Sequence, residues 1–240
     1  MNIRKHNKST PEEIRNKFDN EVHKYDNLDK GQLSAMDSVK IMDTVSQFAG
    51  AVHPDAKELL DIGCGGGNYS IKTLAYMPSA NCTLVDLSMN MLEKAEERIS
   101  EHTSGKITKI QGDIREIELP VNKYEVVIAA TSLHHLRENN EWEIVFKKIY
   151  DTLKPGGVFL ISDIVLHDHP VINEEAWKAY WDYLGKAGGE ELKTWVFEQI
   201  DKEDSPRSLN FQTGLMWKSG FTNVEVLYRN SVFAAFCGIK

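Results

Sequence analysis

The stretch "LLDIGCGGGNYS", residues Leu59 to Ser70, sets four glycines in five positions directly behind an apolar run that reaches Asp61. In regular structure each glycine costs roughly 0.5–1 kcal/mol of chain entropy. Such freedom behind a buried strand makes sense where the backbone must turn sharply and lie against a ligand. That situation arises at the carboxyl end of the first strand of a doubly wound parallel sheet.

The remaining chain fits that sheet. The runs "KELLDIG", "NCTLVDL", "KITKIQGD", "YEVVIAAT" and "GGVFLISDIV" alternate with helical stretches in βαβα order. Val126 to Ala130 and Val158 to Ile161 lack polar alternation, which predicts strands covered on both faces. "NVEVLYRN" and "SVFAAFCGIK" predict two closing strands joined by a tight turn. The predicted fold is α/β: a Rossmann-like, doubly wound, seven-stranded sheet, mostly parallel, with an antiparallel C-terminal strand. Ahead of it, Thr10-Pro11-Glu12-Glu13 reads as a capping box opening one helix. Met36, Val39, Met42, Val45 and Ala49 mark the stripe of a second. Residues 1–50 are thus read as helices covering the ligand site and 51–166 as the sheet core. Residues 167–208 read as an inserted helical cap, and 209–240 as the last helix and closing strands.

The chain has 240 residues, 36 Asp and Glu against 28 Lys and Arg, and a formal charge of -8, which disfavours a nucleic-acid partner. Cys64, Cys82 and Cys237 form no paired framework, in keeping with a reducing cytoplasm. No apolar stretch approaches the ~20 residues of a membrane span, so a soluble cytoplasmic chain with no membrane partner is expected. A homodimer stays open.

Three acids define the ligand. Asp86, nineteen residues beyond Gly67 at the end of the second strand, is placed to accept both hydroxyls of a ribose. Asp61 would repel a pyrophosphate and suits an ammonium group. Asn68 stands where a dinucleotide fingerprint has its third glycine. Asp113, after the third strand, is placed to meet an adenine amino group. Adenine, a diol ribose and an amino-acid tail without phosphate together describe S-adenosylmethionine (SAM). The rival is a nicotinamide-dinucleotide fold with a degenerate glycine, against which the three acids weigh.

"LLDIGCGGGNYS", "CTLVDLSMNML", "IQGDI", "YEVVIAATSLHHL" and "LKPGGVFLISD" resemble, in order and spacing, the motifs of the class I SAM-dependent methyltransferases. The resemblance covers about residues 57 to 165. It implies that Asp61 and Gly63 hold the methionine part, that Asp86 holds the ribose and Leu87 packs on the adenine, with Gly65 and Met91 also at the cofactor. It further implies Asp113 and Ile114 at the adenine edge, Ala130 against the methionine, and Tyr25 from the N-terminal helices over the cofactor. The chain also looks like the carboxy-SAM synthases that serve tRNA modification. The arginine those enzymes use for the extra carboxylate falls at Phe197, which favours ordinary SAM.

The expected reaction is methyl transfer to a small organic acceptor. A carboxy-SAM synthase-like or tRNA-modifying enzyme is the nearer alternative, and a non-catalytic SAM-binding regulator the more distant one. Methyl transfer from a sulfonium is an in-line displacement, so positioning in a dry pocket supplies much of the catalysis. A hydroxyl or protonated amine also needs a base, for which His134 and His135 past strand four are the candidates, one pointing inward and the other solvated. No metal is expected; were one bound, His135, His167 and His169, with His134, would be its ligands. In the cap, Trp177, Tyr180 and Trp181 share one helical face as an aromatic wall for the acceptor or a docking stripe. Gly188-Gly189 reads as a hinge or a helix stop.

Overall fold

The computed structural model of the chain describes residues 8–25 and 34–240. Its strands are β1 (Glu58–Ile62), β2 (Asn81–Asp86), β3 (Ile107–Gln111), β4 (Tyr124–Ala130), β5 (Leu153–Ile164), β6 (Asn223–Asn230) and β7 (Phe233–Ile239). They form one seven-stranded sheet in the order β3-β2-β1-β4-β5-β7-β6. β1 to β5 are mutually parallel, and β7 pairs antiparallel with both β5 and β6. Only β7 therefore runs against the rest, as the closing runs predict.

The unbroken apolar strands behave as two-faced strands should. Along β4, Val126, Ile128 and Ala130 enter one core cluster while Val127 and Ala129 enter the other. In β5, Val158 and Leu160 face the first cluster, and Phe159 and Ile161 the second. Burying both faces removes each such side chain from water, at roughly 1.5–3 kcal/mol apiece.

The helices are α1 (Pro11–Tyr25), α2 (Ser38–Val52), α3 (Asn68–Leu74), α4 (Met89–Ile99), α5 (Asn139–Thr152), α6 (Pro170–Glu203) and α7 (Leu209–Ser219). α1 starts where the capping box places it: the Glu13 backbone N–H donates to Thr10 Oγ1, and the Thr10 N–H donates to Glu13. α2 buries Ile41, Met42, Val45 and Ala49, whereas Val39 from the predicted stripe is 40% exposed. Ile41 takes the inward position instead, rotating the stripe.

α6 is broken at Gly188 and Gly189, the latter in the left-handed region at φ +73°. Beyond the break the helix folds back on itself, so that the Phe197 ring lies 5.8 Å from Trp177 and 4.7 Å from Trp181. The glycine pair thus ends one helical arm and starts the next.

Candidate active site

The strand order reverses at β1, which has β2 on one side and β4 on the other. At the carboxyl ends of these strands lies a cavity of about 290 Å³. Its floor is Ile62, Gly63, Gly65, Val85 and Asp86, and α1 and α6 roof it with Ile14, Phe18, Trp195 and Ile200.

The glycine loop is shaped by two demands. Gly63 sits at φ +66°, and a Cβ there would lie 2.4 Å from Ser132 Cβ, because the β1 and β4 loops touch. Gly65, at φ +49°, lines the cavity, and a Cβ there would meet nothing within 4 Å. One glycine permits close packing; the other leaves bare peptide toward the cavity. Asp86 accepts the Gly65 N–H at 2.9 Å and the Ser88 N–H at 2.9 Å, which ties this loop to the end of β2. Two backbone bonds leave lone pairs on a carboxylate that has about four acceptor sites, enough for a diol. Burial raises its pKa against these hydrogen bonds, so further donors are welcome there. Leu87, Met91 and Ile114 supply apolar wall beside it. These residues fit an adenosyl group.

Other predicted contacts fall differently. Asp61 is 1% exposed and does not line the cavity; its carboxylate accepts the Ser70 hydroxyl at 2.7 Å beneath the loop. Burial raises its pKa to about 7, a shift that the Ser70 bond opposes. Asp113 does line the cavity, but Arg115 holds it through Nε at 2.9 Å and Nη2 at 2.5 Å. Burial raises the Asp113 pKa, yet the Arg115 bonds outweigh it and keep the group low. Ala130 is buried in the core behind Thr131 and Ser132, which line the cavity in its place. The Tyr25 side chain lies outside the described residues.

His134 and His135 form a 3₁₀ turn, Leu133–His135, after β4. Both line the cavity, so the expected division into one inward and one solvated histidine does not hold. His134 Nδ1 bonds Asp163 Oδ1 at 2.5 Å, and Asp163 Oδ2 accepts the His134 N–H at 3.1 Å. Burial lowers the His134 pKa, but Asp163 and Asp204 overcome it and push it up to about 9. His135 moves the other way, well below its ordinary value, through burial, the neighbouring His134 and Lys17. Its Nδ1 is buried without a hydrogen bond.

The partner the sequence reading missed is Asp204. It follows α6, is 8% exposed, and stands 3.6 Å from His134 Nε2 and 3.5 Å from His135 Nδ1. No motif marks it; only its place in the acidic "DKEDSPRS" run hints at an end of the cap. His167 and His169 do not join the other histidines. His167 bonds the Ser231 carbonyl at 2.9 Å and Arg229 at 2.8 Å, and His169 precedes α6 at its N-terminus. Proximity to the end of β5 along the chain misled here, because the chain turns toward β6 and β7 at that point.

Of the aromatic wall, Tyr180 alone lines the cavity, with its hydroxyl donating to the Ser34 carbonyl at 2.6 Å. Trp177, 3% exposed, packs on Tyr180 and Phe197. Trp181 lies on the outer side, 36% exposed, beneath Lys193. The stripe docks one arm of α6 on the other, and the cavity draws its aromatics from Phe18, Trp195 and Phe233 instead.

A glycine loop after β1, an acid closing β2 and a β3-β2-β1-β4-β5-β7-β6 sheet define a SAM-binding enzyme of the Rossmann-like type. The comparisons with known proteins agree. The family described as "Methyltransferase domain" matches residues 59–157. The carboxy-S-adenosyl-L-methionine synthase of Nautilia profundicola is 24% identical over 187 residues, 78% of each chain. The demethylmenaquinone methyltransferase of Lactococcus lactis is 29% identical over 174 residues, 70% of this chain and 66% of the other. Human N-acetylserotonin methyltransferase, solved with SAM, superposes with a TM-score of 0.59 at 18% identity, over 96% of this chain and 56% of that one. At that identity it speaks for the fold, and this chain spans little more than half its length. The family match and these relatives support a SAM-dependent methyltransferase of the class I type. Among the described residues no helix is long and apolar enough to cross a membrane.

Proposed function

We propose that the protein transfers a methyl group from SAM to the oxygen or nitrogen of a small organic acceptor held beneath α1 and α6. One observation carries this reading: the two histidines open into the same cavity as the glycine loop and Asp86. SAM supplies an electrophilic methyl on a sulfonium, displaced in line. In this reading Asp86 takes the ribose, and Leu87, Met91 and Ile114 flank the adenine. Asp61 acts through Ser70 and the loop backbone rather than by touching the ammonium group. Phe18, Tyr180, Trp195 and Phe233 exclude water around the acceptor, and a histidine of the 3₁₀ turn takes its proton. Asp163, bonded to His134, is a positioning residue.

A small acceptor suits a cavity roofed by helices rather than an open groove, and the charge of -8 opposes a nucleic-acid chain. The free cysteines Cys64, Cys82 and Cys237 support action in a reducing cytoplasm.

The names of the carboxy-SAM synthase relatives favour a second reading, in which the cofactor carries an extra carboxylate. Against it, Phe197 sits within the aromatic stack of α6 and not on the cavity. Mass spectrometry of ligand copurified through gel filtration separates the two, followed by SAM titration and an S-adenosylhomocysteine release assay over phenols, amines and hydroxy acids. SAM binding with turnover of one class supports the proposal. A carboxylated adenosyl ligand selects the second reading, and no adenosyl ligand with no SAM binding overturns both.

A further inference from the structure

The cluster of His134, His135 and Asp204 is spaced unlike a hydrogen-bonded network. Asp204 Oδ1 lies 3.6 Å from His134 Nε2 and 3.5 Å from His135 Nδ1, both too long for hydrogen bonds. One ligand atom from each residue falls within 4.8 Å of the other two. In a tetrahedral site with bonds of about 2.0–2.1 Å, neighbouring ligand atoms stand about 3.3 Å apart. The two separations from Asp204 approach that edge, and the two ring nitrogens stand within 4.8 Å of each other.

Two further features match a metal centre. The other nitrogen of His134, Nδ1, is held by Asp163 at 2.5 Å, the carboxylate–histidine support that fixes ring orientation and turns Nε2 toward a cation. His135 Nδ1 is buried with no hydrogen bond, which is costly for a ring nitrogen unless something else takes its lone pair. The cluster also opens on the cavity, so a cation there has a side free for another oxygen or nitrogen.

We infer that His134 Nε2, His135 Nδ1 and an Asp204 carboxylate oxygen form a binding site for one divalent transition cation of the Zn²⁺, Fe²⁺ or Mn²⁺ kind. Two imidazoles and one carboxylate exclude the alkaline-earth ions, which prefer all-oxygen sets, and suit a borderline metal with an open position. The cation offers that position to the acceptor's heteroatom, and His135 then serves as a ligand rather than a proton acceptor. That last role rests on the methyl-transfer reading, whereas the binding itself stands on the geometry.

The test uses the full chain with any affinity tag removed, stripped by a chelator and titrated with ZnCl₂ and MnCl₂ by calorimetry. The Co²⁺-loaded protein is examined by visible absorption. One equivalent is expected to bind, with the intense absorption of a low-coordinate Co²⁺ site. His135→Gln and Asp204→Asn should each weaken binding at least tenfold, while His167→Ala should leave it unchanged. Circular dichroism and SAM titration on the same samples establish that the variants fold. If a variant is unfolded, His134→Gln replaces it in the comparison. The inference is overturned if the wild-type chain shows no saturable binding, or if binding survives in the folded variants. SAM binding without cation binding sinks this site alone; loss of SAM binding in the wild type sinks the methyl-transfer reading instead.

Discussion

Gly63 and Ser132 stand so close that a methyl group on the glycine would lie 2.4 Å from the serine Cβ. The β1 loop and the β4 loop are thereby locked together, with Ser132 Oγ donating to the Ile62 carbonyl at 3.0 Å. Gly63→Ala adds this clash to a backbone at φ +66°, and both effects act on the cofactor loop. The expected cost is about 2–4 kcal/mol in urea unfolding, with SAM affinity lost at the same time. Wild-type stability in the variant would show that the two loops separate freely.

Asp86 ties the glycine loop to β2 and keeps acceptor capacity for the ribose. Asp86→Ala removes both roles. SAM binding by calorimetry should weaken by about 1–3 kcal/mol, roughly 5- to 150-fold. Unchanged affinity would place the ribose elsewhere.

Asp61 gives a pH signature. Its folded pKa, about 7, stands above the ordinary 3.8 because the group is buried. Between those values the native state binds a proton that the unfolded chain releases. Stability from this group is therefore greatest on the acid side and declines as the pH rises toward 7. Going from pH 7 to pH 5 should raise the unfolding free energy by roughly 2–3 kcal/mol. Asp113, Glu125 and Glu141 have lowered pKa values and lose their contributions only at more acid pH. Asp204, raised by burial to about 6, and Asp86, also raised by burial, add slope of the same sign, so urea titrations at several pH values should show a slope in the wild type that is reduced in Asp61→Asn. An equal slope in both would assign it to another group.

Asp163, 1% exposed, meets His134 through two bonds and also accepts the Ile164 N–H at 2.7 Å. Asp163→Asn leaves a buried histidine facing an amide. A loss of about 3–5 kcal/mol in stability is expected, measured by denaturant unfolding. A near-neutral result would mean that the pair is solvated.

The two tryptophans of α6 should separate cleanly. Trp177→Ala opens a cavity in the core and should cost about 3–5 kcal/mol, with SAM affinity unchanged in whatever fraction stays folded. Trp181→Ala, at a 36% exposed site, should cost under about 1 kcal/mol. A Trp181 variant that abolished turnover while folding normally would return that side chain to the acceptor.

The sheet was legible because burial on both faces writes itself into unbroken runs such as Val126 to Ala130, and the glycine loop because residues other than glycine rarely adopt φ near +50 to +66°. The roof was not. Ile14 and Phe18 line the cavity, yet an amphipathic helix shows the same periodicity whether its stripe covers a core or a ligand. Trp177 and Trp181 mislead for the same reason: a stripe of aromatics does not say what it faces. Asp204 was out of reach because its neighbours, His134 and His135, are some seventy residues away in the chain. Only the fold-back of α6 brings them together.

That fold-back sets what the cap can tolerate. Run straight, the 34 residues of α6 would extend roughly 50 Å and carry Asp204 away from the sheet. Doubled at Gly188 and Gly189, they form two arms that bring the chain back, so that Ser208, just beyond Asp204, bridges Leu166, just ahead of the helix. Matched lengthening or shortening of both arms leaves the aspartate in register with the histidines, while a change in one arm alone displaces it. The outer end of the hairpin is thus free to diverge in sequence and length without disturbing the chemistry at its base.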